Sequence, residues 1–222
     1  MKYFDSSFAA FYKKLAANNN RDWFQANKAE YEKSVKQPFE RFVAALIQTM
    51  TKHDKRMAEL VPSQAIFRIN RDVRFSKDKT PYKLHSSAVV SVNGKKSERD
   101  PGIYVELGPE KVAIAGGIYM PGKEELADIR AAIAAEPKKW KKAVESAAFV
   151  KYWGDIQGEK NKVLPADLKE LAQEVPHLYN KQFYYWVELD YKLITSDKLI
   201  EKIEEHYIAA KPVSQFLAAA LS

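Results

Sequence analysis

The stretch Phe67-Arg68-Ile69-Asn70-Arg71-Asp72-Val73-Arg74-Phe75-Ser76-Lys77-Asp78-Lys79-Thr80-Pro81-Tyr82-Lys83 decides how this chain is read. Its first part, from about Gln64 to Asn70, has the apolar alternation of a strand, and its second part has the composition of a polar loop. Strand parity puts Phe67, Ile69, Val73 and Phe75 on one face together with Arg71, and Arg68, Asn70, Asp72 and Arg74 on the other. A guanidinium on the oily face is costly without a partner. Either the strand bulges or stops near Asn70-Arg71, or Arg71 meets a carboxylate or a bound anion.

Outward from this stretch the chain alternates in the same way. Residues 85–92 and the run Ile103, Val105, Leu107 read as strands, and Gly108-Pro109-Glu110-Lys111 turns the second into Val112-Ala113-Ile114-Ala115. Asn93-Gly94 opens a charged turn holding Lys95, Lys96, Glu98, Arg99 and Asp100, and Gly116-Gly117 suits a bulge or a close backbone approach. Phe183 to Leu189 adds one more strand.

Before the strands, Asp5 caps a helix through Phe8, Phe11, Tyr12 and Leu15. Asp22, with Gln25 completing a capping box, opens a long second helix through Phe24, Tyr31, Val35, Phe39, Phe42, Leu46 and Met50, kinked or broken near Pro38. After the strands come helices on Leu126-Ile129-Ile133, on Trp140-Val144, on Leu168-Leu171 and on Leu199-Ile203-Tyr207. Pro212 opens a last one with Val213, Phe216 and Leu217. The expected fold class is α+β, an antiparallel β meander of about five strands packed with N-terminal and C-terminal helices. Residues 1–222 are expected to form a single domain with a helical part at 1–60, the meander and basic motif at 61–120, and helices plus one added strand at 121–222.

The 222 residues are enough for a substantial core, and 46% are hydrophobic. The formal net charge of +7 is uneven. Residues 1–60 hold 11 basic and 7 acidic side chains and residues 61–120 hold 10 and 6, whereas residues 121–222 hold 15 and 16. A basic first half favours phosphates, nucleic acid or acidic partners. The absence of cysteine excludes disulfides, thiolate metal sites and a cysteine nucleophile. With no apolar leader and no membrane-length run, a cytoplasmic protein without membrane partners is expected.

Six cations, Arg68, Arg71, Arg74, Lys77, Lys79 and Lys83, lie in the motif against two carboxylates, Asp72 and Asp78. Arginine supplies bidentate contacts to phosphate or carboxylate oxygens, and Ser76 and Thr80 add hydroxyl donors. Asp72, Asp78, Tyr82 and His85 are supporting residues, His85 being a candidate acid or base at the start of the next strand. Ordinary surface pairing with Asp72, Asp78, Asp100, Glu106 and Glu188 explains the same charges without a ligand.

The segment Arg71 to Lys83 resembles the signature of the domain of unknown function family 2461. The similarity extends to Leu15…Asn18-Asn19…Trp23-Phe24, to Gly116-Gly117-Ile118-Tyr119-Met120-Pro121 and to Leu126…Ile129-Arg130, while Pro176 to Lys181 follows the pattern more loosely. The resemblance implies a single α+β domain and no known reaction, so it carries over no catalytic residues.

Other chemistries fit less well. Ser76-Lys77-Asp78-Lys79 matches S-x-x-K, but Pro81 and the loop composition oppose the helical turn that chemistry needs. No glycine-rich phosphate loop is present. His53, His85, His177 and His206 show no ligand spacing, and Asp72, Asp78 and Asp100 carry only a weak magnesium signal, so no metal or other cofactor is expected. Tyr82, Tyr104 and Tyr119 either stack on bases or pack in the meander. Three functions follow. The motif holds a phosphorylated or otherwise anionic small molecule, with or without hydrolase or transferase activity. Alternatively it is an internal ion-pair network joining the sheet to the second helix in a protein-interaction domain, or the basic half binds nucleic acid.

Overall fold

Asp5 accepts a hydrogen bond from the Ser7 N–H and opens helix α1 (Ser6–Ala17), whose Phe8, Phe11, Tyr12 and Leu15 are buried as their spacing predicts. The computed structural model of the chain describes residues 1–96 and 100–222; Glu98 and Arg99 of the expected charged turn lie outside the described residues. The cap of helix α2 (Arg21–Ala26) is Asn20, two residues earlier than the expected Asp22. Asn20, on extended backbone, takes the Trp23 N–H at 2.9 Å, which satisfies the helix entrance and leaves Asp22 in the first turn.

The long second helix is not continuous. It runs as α3 (Lys28–Tyr31), a π-helical turn (Glu32–Lys36) and α4 (Gln37–Thr51). The Gln37 N–H reaches back to the Glu32 carbonyl, and Pro38, which has no N–H, follows at once. The expected irregularity near Pro38 is therefore a widened turn just before the proline. Val35, Phe39, Phe42, Leu46 and Met50 stay buried in phase through it.

The expected strand from Gln64 to Asn70 is absent. Its first residues close a short helix α5 (Pro62–Ala65), and beyond it the chain is extended with only single bridges, Ile66 to Ala88 and Asn70 to Tyr82. Pro62 preorganises a helical first turn, and the chain then leaves the sheet edge before a ladder can form. Four strands remain rather than five: β1 (Ser86–Val90), β2 (Ile103–Leu107), β3 (Lys111–Ile118) and β4 (Phe183–Asp190), in one antiparallel sheet of order β1-β2-β3-β4. With helices before and after the sheet, the fold class is α+β.

Two compact units can be distinguished. The first comprises Met1–Lys96, Tyr104–Ile114 and Glu188–Glu204; the second comprises Ala115–Val187, Glu205–Ser222 and the described part of Ser97–Ile103. An aromatic cluster fills the first, with Phe4 against Phe8 and Phe42, and Phe11 against Trp23, Phe24 and Tyr31.

In the second unit α6 (Lys123–Ala135) buries Ile129 and Ile133, α7 (Pro137–Val144) buries Trp140 and Val144, and α8 (Ala147–Trp153) and α9 (Leu171–Glu174) follow. Gly117, at φ +84°, comes so close to the Phe183 carbonyl that a Cβ would not fit, which is the close approach the glycine pair suggests. The C-terminal helix α10 (Leu199–Ala220) runs straight through Pro212, so the expected separate last helix is a continuation. Burial of Val213, Phe216 and Leu217 outweighs the hydrogen bond that Pro212 removes.

Candidate functional site

The basic motif is a closed loop. Its ends meet at the Asn70–Tyr82 bridge, where the Arg71 N–H donates to the Pro81 carbonyl (2.9 Å) and the Lys83 N–H to the Ile69 carbonyl (2.8 Å). Such compact loops with adjacent ends pack on their own side chains. Even without a strand, the alternation read from sequence survives: residues 67, 69, 71 and 73 are half-buried and 68, 70, 72 and 74 exposed. It fails at Phe75, expected on the inner face but 95% exposed at the loop tip, beside the Arg74 guanidinium.

Arg71 points inward and meets a carboxylate, one of the outcomes its parity demands. Its guanidinium donates to Asp78 Oδ2 (2.5 Å), to the Thr80 carbonyl (3.2 Å) and to the Thr80 hydroxyl. Asp78 also accepts the Thr80 N–H (2.9 Å). That backbone bond first, then Arg71, holds the Asp78 carboxyl down at about 2. Outside this knot, Asp72 pairs with Arg74 at 2.7 Å and is likewise held at about 2, chiefly by the Arg74 guanidinium. Lys79 closes on the Val73 carbonyl at 2.9 Å. These pairs are local to the loop and do not tie the sheet to the second helix. Two of the three carboxylates of the weak magnesium signal, Asp72 and Asp78, are occupied by arginines, and among the described residues no group of three or more His, Cys, Asp or Glu is placed to hold a metal ion.

Three of the six cations are left over. The side chains of Arg68, Lys77 and Lys83 have no hydrogen bond or ion pair to any described residue. Lys77 is exposed on the loop, near Ser76, whose hydroxyl is also unengaged. Arg68 and Lys83 belong to the base of the loop. The Lys83 ammonium lies 5.3 Å from the Phe67 ring centre, and burial followed by the Arg68 charge pushes its pKa down.

Next to them stands His85, whose Nε2 is 3.5 Å from Glu106 Oε2. Burial is the main cause that lowers its pKa, with Glu106 opposing. Glu106 is itself buried and accepts the Tyr104 hydroxyl at 2.7 Å. Arg68 and His85 also line a cavity of about 250 Å³ opposite Tyr31, Lys36 and Glu40.

Tyr82 is no stacking platform for a base. It is buried and lies flat on Phe24, with ring centres 4.1 Å apart, and the Asn19 side chain bonds both its backbone groups, accepting from the N–H (3.1 Å) and donating to the carbonyl (3.0 Å). Tyr104 is taken up by Glu106, whereas Tyr119 is 61% exposed. Asn19 and Phe24 are the supports that residue-level reading missed; the only trace in the sequence was their place in the family resemblance. Of the other histidines, His177 has both ring nitrogens occupied. Trp140 Nε1 donates to Nδ1 (3.2 Å), so the proton sits on Nε2, facing Asp155 at 2.9 Å.

Comparison with known proteins adds one match. The model of a family described as "Conserved hypothetical protein (DUF2461)" matches residues 7–216, which include the whole motif and its supports. No curated protein matches the chain.

Proposed function

The chain belongs to the DUF2461 family, and from that premise we propose that it binds a phosphorylated or otherwise anionic small molecule in the cytoplasm, at the base of its basic loop. Arg68 and Lys83 are the contacts. The observation that supports this most is that two cations near enough to act on each other's charge, one of them half-buried, have no side-chain hydrogen bond or close ion pair to a described residue, with Glu106 only partly offsetting their repulsion at Lys83. An anion bound at Arg68 offsets the Arg68 charge, which is second to burial in lowering the Lys83 pKa. Arg71 Nη1 is taken up by Asp78 and Thr80, which leaves Nε and Nη2 for the bidentate contact expected of it.

Calorimetric titration of inorganic phosphate and of nucleoside monophosphates tests this reading. Arg68→Met and Lys83→Met are expected to weaken binding by about tenfold or more each, the loss of a charge-assisted contact. Equal affinity of both variants and wild type would remove the proposal. The architectural reading keeps a narrower scope: the Arg71–Asp78–Thr80 knot favours a role in shaping the loop, which orients Arg68 and Lys83.

A further inference from the structure

The cavity beside the loop base carries opposite charges that do not meet. Arg68 enters it from the motif and Glu40 from α4; neither side chain forms an ion pair or hydrogen bond with a described residue, and Glu40 acts only at longer range on the charge of Lys36. The other charged groups of the wall are committed. Lys36 pairs with Glu32 at 3.0 Å, and Lys95 donates to the Ser63 and Ile66 carbonyls at 2.9 Å each. Ser86 is bonded to the Tyr12 hydroxyl at 2.6 Å.

What remains is a guanidinium on one element, a carboxylate on another, and aromatic rings from Tyr31, Phe39 and Phe67. The Tyr31 hydroxyl makes no hydrogen bond, and burial, Glu32 and Glu40 raise its pKa to about 12, so it stays protonated as a donor near Glu40. Apolar walls with a few unspent, converging polar groups are the usual form of a ligand pocket. A volume of about 250 Å³ lies below the common range of roughly 300–1,000 Å³ and suits a small metabolite better than a nucleotide. The π-helical turn at Glu32–Lys36 lies between Tyr31 and Glu40 in the chain, and such turns are frequent at functional sites.

We infer that the cavity takes a small zwitterion, with its anionic group on Arg68 and its ammonium group on Glu40 and the face of Tyr31. This rests on the anionic-ligand reading of Arg68 and adds the ligand's second charge. A cation held by a carboxylate and an aromatic face gains from both. A ligand with only one charge engages only Glu40 or only Arg68.

Phosphoethanolamine, with inorganic phosphate and ethanolamine as its two halves, is the probe for calorimetry on the full chain. Wild type is expected to bind phosphoethanolamine about tenfold or more tighter than phosphate. Glu40→Gln, at an exposed position where folding is not at stake, is expected to bring phosphoethanolamine down to the phosphate level without weakening phosphate binding. Arg68→Met should weaken both. Phosphate binding as tightly as phosphoethanolamine to wild type, or Glu40→Gln without effect, would overturn the zwitterion inference and leave the anion reading standing. Failure of wild type to bind either compound would overturn both.

Discussion

Asp78 illustrates how the loop uses its charges. Its carboxylate takes the Thr80 N–H before it takes the Arg71 guanidinium, so the acid is held down by backbone geometry first and by charge second. Because its folded pKa of about 2 lies below the ordinary 3.8, what it contributes to stability is complete above that ordinary value and is lost as the pH falls toward 2. The Thr80 amide resonance should therefore titrate with a midpoint near 2; a midpoint near 3.8 would mean the bond is not made in solution. Arg71→Met should raise that midpoint only part of the way, since the backbone donor stays. Arg71 was legible in the sequence as a residue in conflict with its surroundings, because parity needs no tertiary information. Which carboxylate resolves the conflict was not, since Asp72 is adjacent along the chain and only the closing of the loop brings Asp78, seven residues on, to Arg71 instead.

Among the elements, the loop is held by α2 and the link between α1 and α2 rather than by a ladder. Asn19 serves Tyr82 as a neighbouring strand would, offering an acceptor and a donor to its backbone, and Phe24 stacks beneath the ring. Asn19→Ala leaves two part-buried backbone groups without partners and is expected to cost about 1–3 kcal/mol, read from urea denaturation. Unchanged stability would show the loop to be independent of the link between α1 and α2. The prediction for α10 runs the other way. Pro212 is exposed inside a 22-residue helix, where it removes a hydrogen bond, so Pro212→Ala should stabilise the protein by up to about 3 kcal/mol. No gain would mean that the helix is bent at Pro212 to suit its buried face. These elements were unevenly legible. The apolar spacing of α1, α4 and β1–β4 is a local signal. The loss of the strand at 64–70 follows from what lies beside it, and a short alternating run carries no record of whether a partner strand is there.

For the molecule as a whole, the positive charge sits in the first 120 residues, where the leftover cations also lie. If the small-molecule reading holds, a single-stranded oligonucleotide meets only this general basic field. Its affinity should fall steeply between 50 and 200 mM salt, and Arg68→Met should leave it nearly unchanged. Filter binding at several salt concentrations measures both, and a large loss on Arg68→Met with a flat salt response would favour nucleic acid as the specific partner. No helix among the described residues is long and apolar enough to cross a membrane.

By itself the sequence determined the α+β class, the apolar faces of the helices, the sheet's hairpin order and the unusual position of Arg71. All of these follow from periodicities of two and 3.6 residues and from short turns, which act over a few neighbours. Only the tertiary structure decided that Arg71 is satisfied within its own loop, that Tyr82 is buried on Phe24 and Asn19, and that Arg68 shares a cavity with Glu40. Those pairings join residues up to 63 positions apart. Whether a charge is spent or free depends on which distant group folding brings within about 4 Å, and no local pattern encodes that.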